Sequence, residues 1–185
     1  NSLGGAVVLR IAERADLPLA GVVPVAPAGL DMPAWFQIIE RDVFVRTALA
    51  LPLPLPPALI RGLVGEAYRR LAFARPRAAA PEVVAAFTGH LAQRAAVARA
   101  LATGRRLLPE LEAFPFHLAD VRCPVLLAWG ERDRMVSHRG ARRVVEALPQ
   151  TAVELLPGCG HCPQLEEPER FAELLLAFAV AARAA

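Results

Sequence analysis

Lysine is absent from this 185-residue chain, and all 21 basic residues are arginine. They are scattered among 18 acidic residues, for a formal net charge of +3. That balance does not predict a polyanion partner such as nucleic acid. An arginine-only basic set reads instead as the codon bias of a GC-rich genome. Cysteine is scarce, and three residues do not suggest the disulfide framework of a small secreted domain. Serine occurs only at Ser2 and Ser137. No apolar run can span a membrane, because the longest, residues 49–60, holds Pro52, Pro54, Pro56 and Pro57. The expectation is a cytoplasmic protein, although the absence of a visible signal-peptide pattern proves nothing where the leading residues are expected to be missing. Internal repeats are missing as well. The hydrophobic fraction is 55%, with much of the excess in alanine, enough for a substantial core in a chain of one-domain size.

What is present is an α/β pattern. Pro124-Val125-Leu126-Leu127-Ala128-Trp129-Gly130 is a short continuous apolar run, the signature of a strand buried on both faces of a parallel sheet. Asp133 falls just past its C-terminal end, the edge where open α/β sheets place their chemistry. A second short strand, residues 151–156, leads into the loop Pro157-Gly158-Cys159-Gly160-His161. His161 therefore also lies beyond a strand's C-terminal end. The last helix opens at Glu167-Pro168-Glu169 and carries Phe171, Leu174, Leu175 and Phe178 on one face. A helix near 139–148 joins the two strands. Upstream, the pattern predicts a helix over 4–13 and a strand over 20–26. From residue 31 to about 118 no strand pattern occurs. Helical blocks at 33–49, 57–73, 81–102 and 105–113 are punctuated there by proline or glycine.

The chain opens on Asn1-Ser2-Leu3-Gly4-Gly5. This run reads as the last part of a nucleophile elbow, G-x-S-x-G, without its leading glycine. The reading predicts a longer protein of which these residues are the C-terminal portion. In an elbow the serine sits on a strained strand-to-helix turn with its Oγ exposed. Gly4, Gly5 and Ala6 are small enough to let strand and helix approach closely. With Trp129-Gly130-Glu131-Arg132-Asp133 and Gly158-Cys159-Gly160-His161-Cys162-Pro163-Gln164-Leu165-Glu166, the chain resembles the α/β-hydrolase family, which uses the order Ser, Asp, His. The resemblance implies three units: hydrolase core at 1–30, an inserted helical lid at 31–118, and core again at 119–185. The 28 residues from Asp133 to His161 suffice for one helix, one strand and one loop.

A serine hydroxyl needs a base within hydrogen-bond reach, and His161 is the candidate. Asp133 would accept the other ring N–H and fix the tautomer. The resemblance implies that the backbone N–H of Leu3 serves the oxyanion hole. It also implies a small apolar substrate, no cofactor and no metal. Asp31, beyond the earlier apolar run, is a rival acid, since some family members carry the acid there. His90, His117 and His138 read as surface or packing residues, and Ser137 lacks the elbow's glycines. Trp35, Phe36, Ile39, Phe44 and Phe87 are available to a lid pocket. Trp35, Phe36 and Val136 are the candidate substrate contacts.

Cys159-Gly160-His161-Cys162 has the letters of a dithiol motif, but such motifs open a helix directly, and here Pro163 follows at once. Two Cys and one His lack a fourth metal ligand of suitable spacing. Cys123, before a proline at a strand start, reads as packing. Ester hydrolysis is the leading reading of the whole. Asn1 before Ser2 resembles the elbow of carbon–carbon bond hydrolases of ring-fission products, although those relatives usually carry Trp where this chain has Cys162. Cofactor-free haloperoxidase-type relatives and a non-catalytic binding protein of the same fold stay open. Made alone, these residues are expected to fold poorly, with the apolar edge of the 20–26 strand unpaired.

Overall fold

The computed structural model describes residues 1–50 and 55–184, with the side chains of residues 40, 48–50 and 184 left aside. Pro52 and Pro54 of the proline-rich run lie outside the described residues. Two strands, β1 (Leu126–Gly130) and β2 (Ala152–Leu156), pair in parallel with Leu126 opposite Ala152 and Gly130 opposite Leu156. Every residue of β1 is buried, as its unbroken apolar run requires, and β2 is the exposed edge.

The expected strand over 20–26 is present only as two isolated parallel bridges to β1, Val22 to Val125 and Val25 to Ala128. Proline explains the gap. Val22 N–H donates to Pro124, Leu126 N–H to Val22, Ala128 N–H to Pro24 and Ala26 N–H to Ala128. Pro24 has no N–H to return, so the ladder loses its middle rung while the chain stays extended beside β1.

Helices cover both faces of this sheet. Side chains alternate along β1. Leu127 and Trp129 join Ala6 and Leu9 of α1 (Leu3–Ala12) and Val144 of α7 (Ala141–Ala147) in the main core. Ala128 turns the other way, with Val25 and Leu156, against Phe171, Leu174 and Leu175 of α8 (Pro168–Ala184). The apolar face foreseen for the last helix is thus the one that packs, through these three residues.

Between residue 34 and residue 113 the regular elements are helical, among the described residues. The block expected at 33–49 is two helices, α2 (Trp35–Arg41) and α3 (Val43–Ala50), because Asp42 is extended and its carboxylate caps Val45 N–H at 2.9 Å. Next comes α4 (Pro57–Ala72), with proline in its first turn, then α5 (Pro81–Thr88). The expected break near residue 103 does not occur. A single helix, α6 (Arg94–Glu112), runs through Gly104, and the break falls at the extended Gln93 instead. Gly104 is small for packing rather than for termination: a Cβ there would overlap the ring of Phe36.

Candidate active site

Three loops converge at the C-terminal end of β1, and glycines set how closely. A Cβ on Gly130 would overlap the Gly160 carbonyl, so only glycine lets the loop after β2 cross the end of β1. Arg132 N–H then donates to Cys159 at 2.8 Å and Glu131 N–H to Leu156 at 3.1 Å, tying the two loops together.

Asp133 is held by this arrangement with its side chain 0% exposed. That excludes a solvated charged turn. Its Oδ1 accepts from Met135 N–H at 2.7 Å and Val136 N–H at 3.0 Å. Its Oδ2 accepts from Trp129 Nε1 at 3.2 Å and lies 2.8 Å from His161 Nδ1. A carboxylate only accepts, so Nδ1 carries the proton of this bond, and in the neutral imidazole the lone pair is on Nε2. His161 is 3% exposed, and its Nε2 is buried with no hydrogen-bond partner among the described residues. An unpaired buried ring nitrogen is costly in a structural histidine. It is what a base awaiting a proton presents.

Ser2 has φ 54 and ψ −122, the left-handed region that a non-glycine residue avoids. Backbone bonds hold it there. Ser2 N–H donates to Val25 at 2.9 Å, and the Ser2 carbonyl accepts from Ala6 at 3.1 Å and Ala28 at 3.1 Å. Strain kept by surrounding bonds is a feature of functional turns. Gly5 permits the approach, since a Cβ would sit 2.9 Å from the Val25 carbonyl. Gly4 faces open space, so of the small residues Gly5 and Ala6 do the packing. Asn1 links this turn to the histidine loop, its Nδ2 donating to the His161 carbonyl at 2.8 Å. The structure thus joins Asp133 to His161 directly. It leaves Nε2 of His161 without a hydrogen bond to Ser2. Leu3 N–H is the first of α1 and has no intrahelical acceptor.

The other candidates are placed as follows. Asp31 is exposed, while His161 pairs with Asp133. His90 and His117 are exposed and His138 is half-buried. Trp35 Nε1 donates to the Met135 carbonyl at 2.9 Å, so α2 touches the acid loop. Phe36 lies edge-on to Trp35 and against Gly104. Val136 is a core residue, 1% exposed, whose backbone serves Asp133 and Trp129. Phe44 is 85% exposed, and Phe87 stacks on Tyr68 at 5.4 Å.

The cysteines carry no redox chemistry that their surroundings favour. Burial pushes the Cys159 thiol up to about 11, with Glu166 and Glu167 adding to it. Burial also raises Cys162, against the opposing effect of its hydrogen bond with Tyr68. A dithiol nucleophile needs the reverse. Among the described residues no cluster of His, Cys, Asp and Glu could hold a metal ion, and no helix is long and apolar enough to cross a membrane.

Sequence reasoning missed three contributors: Trp129 as a donor to Asp133, the Asn1 side chain, and Glu166. Trp129 stands four residues before Asp133, a spacing that offered a signal. Glu166 accepts from Gly160 N–H and from Ala74 N–H across 92 residues, which no local pattern reveals.

Comparison with known proteins identifies the family. The profile described as Alpha/beta hydrolase family matches residues 1–174. Over 79 residues the chain is 33% identical to 2-hydroxy-6-oxononadienedioate/2-hydroxy-6-oxononatrienedioate hydrolase 2 of Pseudomonas putida, covering 43% of this chain and 27% of that protein. Over 74 residues it is 31% identical to Monoacylglycerol lipase ABHD6 of Homo sapiens, covering 39% of this chain and 22% of that protein. An alpha/beta hydrolase fold protein from Burkholderia ambifaria superposes with TM-score 0.65 at 25% identity, over 96% of this chain and 63% of the other. A thermophilic esterase from Thermogutta terrifontis does so with TM-score 0.63 at 19% identity, over 98% and 63%, a likeness of fold. The chain therefore matches less than a third of the length of these curated relatives and 63% of these solved chains.

Proposed function

Because the chain belongs to the alpha/beta hydrolase family, we propose that it is the nucleophile-to-histidine portion of a serine hydrolase that cleaves an ester or similar acyl bond in a small apolar substrate. The observation that carries this reading is the buried His161–Asp133 pair at 2.8 Å with Nε2 left unpaired. Ser2 Oγ attacks the acyl carbon as His161 Nε2 takes its proton. Asp133 keeps the Nδ1 proton in place and stabilises the imidazolium that forms. The negative charge on the tetrahedral oxygen meets the Leu3 N–H at the positive end of α1. His161 returns the proton to the leaving oxygen, and water repeats the sequence to release the acid. No cofactor enters these steps. The helices of residues 31–118 form the lid, between the core segments 1–30 and 119–185, with Trp35 set against the acid loop to line the pocket.

The test is a serine-reactive phosphonate on the complete protein, with the adduct mapped by peptide mass and paired with burst kinetics on a p-nitrophenyl ester. The expected adduct is on Ser2, and both adduct and burst vanish in Ser2→Ala. A burst that survives in Ser2→Ala removes the proposal, and a wild-type protein with neither adduct nor burst makes a pocketed but inert protein the better reading.

A second reading has its own support. The Pseudomonas putida relative is named as a hydrolase of 2-hydroxy-6-oxononadienedioate and 2-hydroxy-6-oxononatrienedioate, and Asn1 stands before Ser2 and bonds the His161 carbonyl. Here the same residues would cleave the C–C bond of a vinylogous diketone. A kcat/KM for such a dienol acid above that for every p-nitrophenyl ester would favour it.

A further inference from the structure

We propose that Glu166 is a positioning residue that clasps the His161 loop to the C-terminal end of α4, so that the helical insertion fixes where the base stands. The inference rests on His161 being the base of the proposed hydrolase.

Helix ends leave carbonyls without intrahelical partners. At the end of α4, the Ala72 carbonyl is taken by His161 N–H at 2.7 Å. Phe73 leaves the helix in extended conformation, which frees the next amide, Ala74 N–H. Glu166 Oε2 accepts it at 2.9 Å. The other oxygen of the same carboxylate accepts Gly160 N–H, the amide immediately before His161. Residues 72, 74, 160, 161 and 166 thus close a ring of three hydrogen bonds, two of them charge-assisted.

Shape agrees with bonding. A Cβ on Gly160 would lie 2.6 Å from Ala74 N and 2.7 Å from the Ala72 carbonyl. Its φ is not in the left-handed region, so glycine is required there for contact and not for backbone freedom. The approach that Gly160 permits is the approach that Glu166 bonds. On the far side, Asn1 holds the His161 carbonyl and Asp133 holds Nδ1. The imidazole is therefore fixed by the Ser2 turn, the acid loop and α4 together. Small misplacements of a reacting group are costly, and Glu166 removes one direction of drift.

The experiment uses the complete protein and a p-nitrophenyl ester, with Glu166→Ala, Glu166→Gln and Gly160→Ala. Glu166→Ala is expected to lower kcat about 10- to 100-fold with KM changed less than about threefold, because Glu166 touches His161's backbone surroundings and no substrate. Glu166→Gln, with one acceptor oxygen for two donors, is expected to fall between Ala and wild type. Glu166→Ala combined with Gly160→Ala should cost little more than either alone, since both open one ring. Amide hydrogen exchange should quicken at residues 74, 160 and 161 ahead of β1. If Glu166→Ala does not fold, Glu166→Gln decides. An unchanged kcat in folded Glu166 variants, in a protein that Ser2→Ala silences, overturns the clasp alone. Turnover that Ser2→Ala does not affect overturns the hydrolase reading, and unchanged exchange at residues 74, 160 and 161 then overturns the clasp as well.

Discussion

Replacing Asp133 by asparagine tests the electrostatics of the site with almost no change of shape. The carboxylate accepts four N–H groups, two on each oxygen. An amide has one accepting oxygen, so its NH2 must face one of the two pairs. Facing the Met135 and Val136 amides, it would oppose two backbone donors that have nowhere to turn. Facing the other pair is cheaper. Trp129 Nε1 keeps its bond to the Val136 carbonyl at 3.0 Å, and the imidazole can move its proton from Nδ1 to Nε2 and accept from the amide. The protein should therefore fold, losing about 1–3 kcal/mol for a weakened buried network. The same rearrangement removes the lone pair that a base needs. The expected loss in kcat is about 10⁴-fold, near 5.5 kcal/mol of transition-state stabilisation. The assay is the pre-steady-state burst with a p-nitrophenyl ester on the complete protein, beside a urea unfolding curve. A folded Asp133→Asn variant within tenfold of wild type would refute the argument. If Asp31→Asn showed the large loss instead, the acid would be the earlier carboxylate.

Two further substitutions separate contact from conformation among the glycines. Gly130→Ala drives a methyl into the Gly160 carbonyl and should displace the His161 loop, lowering kcat at least tenfold. Gly158→Ala meets open space but keeps φ +73, so it should cost about 1 kcal/mol of stability in urea and leave kcat unchanged. Equal losses of kcat in both would sink the distinction. Thiol chemistry gives a third test. With its thiol pushed up to about 11, Cys159 is about 0.1% thiolate at pH 8 and should resist iodoacetamide until the protein unfolds. Rapid native labelling at Cys159, read by peptide mass, would show that burial does not control it.

Much of the site was legible because its chemistry follows short, ordered signals. A buried strand announces itself as an unbroken apolar run, and the run at residues 124–130 delivered both β1 and the position of Asp133 at its end. The Ser2 turn was legible from its small neighbours, although Gly4 is unused and Gly5 does the packing. Misreadings came where one residue type serves two purposes. Gly104 looked like punctuation and is a seat for Phe36, because a glycine without a Cβ satisfies both needs and only the fold selects one. Pro24 hid inside an apolar run and removed a rung from the expected strand at 20–26.

What sequence could not yield is the set of bonds between distant backbone groups. Glu166 lies in a motif that was read for its histidine, yet one of its partners is the Ala74 amide just past α4, 92 residues away. Such bonds leave no pattern, since any residue except proline supplies an N–H. They also decide how rigidly the His161 imidazole is held. Strand ends and glycines bring Asp133 and His161 to one edge of the sheet. The helices between residues 34 and 113 then contact both loops, through Trp35 at the Met135 carbonyl and through the end of α4 at His161. Helices that bond the Asp133 loop and the His161 loop alike are placed to transmit their own displacement to the imidazole. Substitutions within α4 that shift its C-terminal turn should therefore change kcat even where they touch no substrate. The measurable form is a fall in kcat with KM held, accompanied by faster amide exchange at residue 161. A loss confined to KM would mean that the helices act on substrate binding alone.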